Sequence, residues 1–346
     1  MAPELILGGP ADAPAHARAG HPERPARVTA VTAGVDDLHL GQDLEVVTPV
    51  EVSLAHLLRV HDQDYLSRLE AFCQAGGGEL DPDTYAGPGS WRAARLAAGT
   101  GLAAVEALER RGTGVAFVAA RPPGHHALRE GQMGFCLVNN VSVAAAHLAE
   151  RGERVLVLDW DVHHGNGSQA IFWNDPRVLY VSTHQWPLYP GTGRPDETGG
   201  PAAPGLTVNV PLPPGATGDV VRRALDQVVV PVVERFSPTW VLVSAGFDAH
   251  RADPLGGLAL SAGDFADLAR AAAAMAPRPG RLALFLEGGY DLGALRSSVT
   301  ATLAAVLDAP NPPERQGGDE RPTAGGPGCE MVAQVMEARA RALDRA

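Results

Sequence analysis

The stretch VLVLDWDVHHGNG, Val155 to Gly167, decides how this 346-residue chain is read. Four apolar residues, Val155–Leu158, run directly into Asp159, Asp161, His163, His164 and Asn166. Side chains alternate along an extended chain, so Asp159, Asp161 and His163 are expected on one face, where two carboxylates and an imidazole can meet one cation. The competing reading is a solvated turn at a strand end. Ionisable groups this dense are costly to bury without a metal or mutual partners, which weighs against it. Further apolar runs lie at Val115–Ala119, Val178–Val181, Leu206–Val210, Trp240–Val243 and Leu282–Leu286. Between them, Ala- and Leu-rich stretches predict helices near 90–111, 137–151, 218–235, 262–276 and 292–307. Strands that are apolar throughout and separated by helices predict a parallel sheet covered on both faces. In such sheets functional groups collect at the carboxyl ends of strands.

Three more of these runs end in residues that carry chemistry. After Trp240–Val243 the chain continues Ser-Ala-Gly-Phe-Asp248. Alone, an aspartate after a strand reads equally as a helix cap. Beside the first stretch it completes Asp161, His163 and Asp248 as a three-ligand site with open positions, the catalytic form. After Val115–Ala119 comes a Pro-Pro-Gly turn and then His125-His126. A tight turn is needed to aim adjacent histidines at one place, and histidine titrates where a general acid or base must. After Leu282–Leu286 come Glu-Gly-Gly-Tyr290. The glycines allow close approach of backbone to substrate, and a phenol there is placed to donate to a developing oxyanion. Taken singly, the plainer readings are two surface histidines and a packed aromatic.

Composition narrows the function classes. At 45% hydrophobic and 20% charged, the chain is an ordinary globular one. Gly 40 and Pro 29 without periodicity suit a loop-rich α/β enzyme. The net charge is −12, and with no lysine anywhere all 28 basic residues are arginine. An acidic chain is a poor non-specific nucleic-acid ligand and suits a cationic substrate or basic peptide. Cys73, Cys136 and Cys329 form no CxxC pair, so a reducing cytoplasmic setting is expected, with Cys136 a buried thiol. No apolar run approaches the roughly 18 residues of a membrane span, and no secretory signal is read. The lone Gly191-Thr-Gly193 is read as a loop turn. His16, His56, His147 and His250 are read as surface or packing residues. Residues 309–328, rich in Pro, Gly and charge, predict a flexible linker between one large domain, 1–308, and a helical segment, 329–346. That segment suits either homo-oligomerisation or packing on the domain.

In order along the chain, HPERPAR (21–27), VHDQDYL (60–66), RPPGHH (121–126), GFCLVNN (134–140), DWDVHHGNG (159–167), YPGTG (189–193), SAGFDAHRADPLGG (244–257) and LEGGY (286–290) form a recognisable set. They resemble the motifs of the histone deacetylase and acetylpolyamine amidohydrolase superfamily, closest to class II deacetylases and their bacterial relatives. The resemblance implies an arginase/deacetylase fold, with a central eight-stranded parallel sheet flanked by helices on both faces. It implies one catalytic Zn²⁺ on Asp161, His163 and Asp248. It makes His125 and His126 the acid/base pair, oriented by Asp159 and Asn166, and Tyr290 the group that polarises the acetyl carbonyl. Gly134, Phe135, Tyr189 and Leu255 would line a tunnel for the substrate side chain, Tyr189 standing where the family commonly has Phe. Structural K⁺ is implied at Asp159, Asp161, His163, Ser182 and Thr183, with a second position at Phe172, Asp175 and Val178. Arg27 matches a position near the acetate-release region, and Ser90 one that holds substrate backbone.

The activity so implied is hydrolysis of N-acetyl-lysine in a protein or peptide to acetate and free amine. The alternative is an acetylated small amine such as a polyamine; Leu255 favours acyl-lysine. An arginase-type reaction needs two metals and a DxHxD repeat, and Gly165 stands where the extra carboxylate would be. A non-catalytic acyl-lysine binder would have no need of a complete ligand set. Fe²⁺ or Mn²⁺ would also suit such a site. With Asp159 behind His125 and neutral Asn166 behind His126, His125 is expected to be the base and His126 the acid.

Overall fold

Along Val155–Asp159, Leu156 and Leu158 pack into one hydrophobic core while Val155 and Val157 pack into another. Trp240–Ala245 and Leu282–Leu286 divide the same way, Val241, Val243, Leu282 and Leu284 on one side, Trp240, Leu242, Ala283 and Phe285 on the other. A strand with a core on each face has no polar side, which is why these runs read as continuous rather than alternating. The computed structural model describes residues 4–9, 16–309 and 321–344. Its strands are β1 (Leu5–Gly8), β2 (Leu44–Val47), β3 (Gly78–Glu79), β4 (Tyr85–Ala86), β5 (Val115–Val118), β6 (Val155–Asp159), β7 (Val178–Gln185), β8 (Thr207–Leu212), β9 (Trp240–Ala245) and β10 (Leu282–Leu286). Eight of them form one sheet in the order β2-β1-β5-β10-β9-β6-β7-β8, parallel throughout. β3 and β4 form a small antiparallel pair.

Helices cover both faces, as the fold class requires. Gln63–Gln74, Ser90–Arg111 and Asn140–Glu150 pack on one core, and Ala26–Asp36, Ala262–Met275 and Leu292–Val306 on the other. The helix expected at 137–151 starts at Asn140 because the Asn139 side chain accepts the Ser142 N–H at 3.1 Å and caps it. The helix expected over 218–235 is broken into Gly218–Ala224, a π-turn at Leu225–Val229, and Val230–Phe236. Pro231 has no N–H to give the preceding turn, so an α-ladder cannot run through it.

The expected linker differs in its described part. Residues 310–320 lie outside the described residues. From 321 the chain is fastened rather than free: Thr323 N–H donates to Asp264 Oδ1 at 2.9 Å, and Gly218 N–H donates to Thr323 Oγ1 at 2.8 Å. The terminal helix Cys329–Leu343 lies against β8, burying Val332 and Val335. Its Arg339 donates to the carbonyls of Gly205 and Thr207.

One buried histidine outside the site gives the fold an acid sensitivity. His61 Nδ1 lies 2.8 Å from the Leu128 carbonyl, and its Nε2 accepts the Asn139 N–H at 3.0 Å. Only the neutral ring satisfies both, and burial lowers its pKa to about 4. The unfolded chain takes this proton below about pH 6.5. Stability from His61 is therefore full above pH 6.5 and falls towards pH 4, by about 1.4 kcal/mol per pH unit. Thermal melts of His61→Gln should lose part of the wild-type slope between pH 6.5 and 4. An unchanged slope would refute the assignment.

Candidate active site

The four constellations all lie at carboxyl ends of neighbouring strands: after β5, β10, β9 and β6, consecutive in the sheet. Where these loops converge they enclose a cavity of about 240 Å³, whose lining includes His125, His126, Phe135, Tyr189, Leu255 and Tyr290.

Asp161, His163 and Asp248 each bring one ligand atom to within 4.8 Å of the others, the one such cluster among the described residues. His163 Nδ1 lies 3.0 Å from Asp161 Oδ1 and 3.3 Å from Asp248 Oδ2. Backbone donors fix the carboxylates: Gly288 N–H to Asp161 Oδ2 at 2.8 Å and Val162 N–H to Asp248 Oδ1 at 2.9 Å. Asp248 Oδ2 is buried and has no partner beyond the His163 ring nitrogen it pairs with at 3.3 Å. A buried carboxylate oxygen whose one partner is itself a candidate ligand is what a divalent cation relieves, and one imidazole with two carboxylates is a donor set that Zn²⁺ accepts. Without a cation, burial and the Asp161 charge push the Asp248 carboxyl up to about 7. Burial opposes charge on His163, but the two carboxylates outweigh it and raise its pKa to about 10. Glycines give these carboxylates their room. A Cβ at Gly288 would strike Asp248, and one at Gly246 would strike Asp161. At Gly165, whose φ any residue adopts, a Cβ would meet the Asp159 carboxylate, the Tyr180 hydroxyl and His125. The position at which a second metal would need another carboxylate is therefore filled by the support of the first histidine.

The tandem histidines sit with ring centroids 4.0 Å apart. His125 Nδ1 lies 3.0 Å from Asp159 Oδ2, and that oxygen also accepts the Tyr180 hydroxyl at 3.2 Å. His126 Nδ1 lies 2.7 Å from Asn166 Oδ1, while the Asn166 amide nitrogen donates to the Met133 sulfur. An amide oxygen only accepts, so His126 carries its proton on Nδ1 and keeps a lone pair on Nε2. Burial disfavours charge on both rings. For His125 the carboxylates of Asp159, Asp161 and Glu287 outweigh it and lift the pKa well above the usual value. For His126 the neighbouring His125 and His163 add to it, and the pKa falls well below. These shifts favour the charged form at His125 and the neutral form at His126.

Tyr290 stands between Phe135, edge-to-face at 5.8 Å, and the Arg27 guanidinium, 4.9 Å from its ring. Arg27 is wholly buried and donates to the Gly289 carbonyl at 2.6 Å and to that of Glu287, so it braces the turn behind Tyr290. Phe135 has φ 70°, a left-handed conformation that costs a non-glycine residue of order 1–3 kcal/mol and recurs at ligand sites. Gly134 beside it, φ 53°, passes so close to His126 that a Cβ would collide with that ring and crowd Tyr189.

Other expectations fare differently. Ser90 does not face the cavity; its buried hydroxyl bonds His16 Nδ1 at 2.7 Å and accepts the Gly87 N–H, fixing the start of the long helix. Asp159 and Ser182 face each other in the β6–β7 register, with Thr183 next, also buried. The Asp175 side chain is held by Arg177 at 2.7 Å, while Phe172, Asp175 and Val178 are joined by backbone bonds. His16 and His250 are buried, the former 3.5 Å from the Glu23 carboxylate.

Two carboxylates were missed. Glu287 accepts the N–H of Gly124 at 2.6 Å and of His125 at 3.1 Å, anchoring the histidine turn; burial lifts its pKa to about 7 against the pull of His125. Asp253 accepts the Tyr290 N–H at 2.6 Å. Glu287 closes an apolar strand just as Asp159 does, a signal present in the sequence.

A family model described as Histone deacetylase domain matches residues 21–306. A histone deacetylase-like amidohydrolase of Pseudomonas aeruginosa is 40% identical over 291 residues, covering 83% of this chain and 76% of that one. A probable deacetylase of Archaeoglobus fulgidus is 41% identical over 292 residues, covering 83% and 81%. The crystal structure of the HDA15 HD domain superposes with a TM-score of 0.88 at 33% identity, over 98% of this chain and 95% of that one. With the sheet order, the cavity and these matches in agreement, the chain belongs to the histone deacetylase family and is a hydrolase of its deacetylase and amidohydrolase kind.

Proposed function

We propose that the protein is a Zn²⁺-dependent deacetylase that hydrolyses the amide of N-acetyl-lysine in a peptide or protein, releasing acetate and free amine. The observation that carries this reading is the Asp161–His163–Asp248 cluster beside a cavity that also presents two histidines and a tyrosine. A cation held there supplies Lewis acidity, polarising the acyl carbonyl and drawing the pKa of a water from about 16 towards about 7. His126 Nε2 takes the proton of the attacking water. His125, kept cationic by Asp159, opposes the negative charge that develops. The Tyr290 hydroxyl donates to the carbonyl oxygen as that oxygen gains charge. The proton on His126 then passes to the amine nitrogen as the C–N bond breaks.

Phe135, Tyr189 and Leu255 offer apolar walls to an extended alkyl stem, and the −12 charge favours a cationic substrate. Asp83, also in the lining, supports a second reading, an acetylated polyamine whose far amine would pair with it. A structural K⁺ is proposed beside Asp159 and Ser182 on the strength of their register. The free state of Cys73, Cys136 and Cys329 fits a reducing cytoplasm.

The test is a comparison of kcat/KM on Zn²⁺-loaded protein for an acetyl-lysine peptide, N-acetylputrescine and N8-acetylspermidine, with Tyr290→Phe alongside. Peptide preference and a loss of about a hundredfold in Tyr290→Phe are expected. Polyamine preference would transfer the substrate to the second reading. Activity untouched in Tyr290→Phe would refute the mechanism.

A further inference from the structure

Tyr290 is held by its backbone, and the holder sits on a different loop. Asp253 Oδ2 accepts the N–H of Tyr290 at 2.6 Å and that of Asp291 at 3.2 Å, and Asp253 Oδ1 accepts the N–H of Leu255 at 2.9 Å. Asp253 is buried, and its own N–H donates to the His250 carbonyl at 2.8 Å. Three N–H groups converge on one carboxylate. An ionised acid receives them all without presenting a hydrogen of its own, which an amide cannot do.

The two loops joined here form two walls of the cavity, because Leu255 and Tyr290 both line it. The chain before Tyr290 is Gly288-Gly289, the second with φ 119°, so backbone hydrogen bonds and not side-chain packing shape this turn. Asp161 holds the Gly288 N–H and Arg27 holds the carbonyls on either side of it. The Tyr290 N–H itself is held by Asp253.

We propose that Asp253 is a positioning residue for Tyr290, coupling the hydroxyl donor to the Leu255 wall. A substrate stem seated on Leu255 then meets the phenol at a fixed offset. This rests on the reading of Tyr290 as the hydroxyl donor to the substrate carbonyl.

The test is a double-mutant cycle on full-length Zn²⁺-loaded protein with the acetyl-lysine peptide. Asp253→Asn is expected to lower kcat about tenfold with KM changed less than about threefold, since a small misplacement of a reacting group costs rate. In the Tyr290→Phe background the same substitution should change kcat less than about twofold, because no hydroxyl remains to be misplaced. Independent tenfold losses in both backgrounds would overturn the proposal while leaving Tyr290 its role. Wild-type kcat in Tyr290→Phe would overturn both readings. If Asp253→Asn does not fold, Asp253→Glu, which keeps the charge, enters the same cycle. Failure of both to fold would overturn the proposal by making Asp253 a residue of the fold.

Discussion

His126→Ala lowers kcat about a thousandfold, roughly 4 kcal/mol of transition-state stabilisation, and abolishes the acid limb of the pH–rate profile. The ring nitrogen bonded to Asn166 carries the proton, so the other nitrogen is the lone pair available to water. Burial and the neighbouring His125 charge depress its pKa, so it stays neutral at pH 7 and the acid limb lies below the ordinary histidine value. His125→Ala provides the complementary measurement. It removes a like charge beside His126, which favours the protonated form, raises the pKa and moves the acid limb to higher pH. Its kcat falls less, because His126 still accepts the proton. A His126→Ala enzyme retaining more than a tenth of kcat would refute this division, as would an acid limb unmoved in His125→Ala.

The second large effect concerns Asp248. Asp248→Asn should lose Zn²⁺ on gel filtration and reduce kcat/KM on the order of a thousandfold, the several kcal/mol that a Lewis acid supplies. Wild-type melting temperature should rise on adding Zn²⁺, because a ligand that binds only the folded state stabilises it, and that of the variant should not. Without metal the order inverts. A carboxyl whose pKa is raised from 3.8 to about 7 contributes stability below pH 3.8 that is lost as pH rises through 7. At pH 8 the metal-free wild type therefore carries a strained pair of charges that the asparagine removes. The variant should melt no lower than the metal-free wild type there. Retention of stoichiometric zinc, or a wild-type melt indifferent to zinc, would remove Asp248 from the ligand set.

The sheet and the site were legible to different degrees. Six strands announced themselves: five are unbroken apolar runs because both faces of the sheet are covered, and the sixth, Leu206–Val210, alternates apolar residues with Thr207 and Asn209. β1 and β2 did not: Leu5–Gly8 and Leu44–Val47 are four residues each, and β2 lies at the sheet edge with Val46 exposed. A run that short does not separate strand from loop. The cluster Asp161, His163 and Asp248 was legible because each residue lies within about four positions of the end of an apolar strand. Asp253 and Glu287 stood inside quoted motifs, yet their partners lie 37 and 163 positions away, and no spacing reports such bonds. Ser90 shows the converse, a residue that the family resemblance matched to a substrate contact although its hydroxyl serves a helix start.

The terminal helix has a consequence for the life of the molecule in a crowded cell. β8 ends the sheet, and an end strand offers spare carbonyls to any extended chain that drifts past. Arg339 occupies two acceptors at the start of this one, those of Gly205 and Thr207. Burial lowers its pKa only to about 10, so it keeps its charge at physiological pH. The appendage thus takes two of the acceptors at that end of the sheet out of reach of a neighbour's strand.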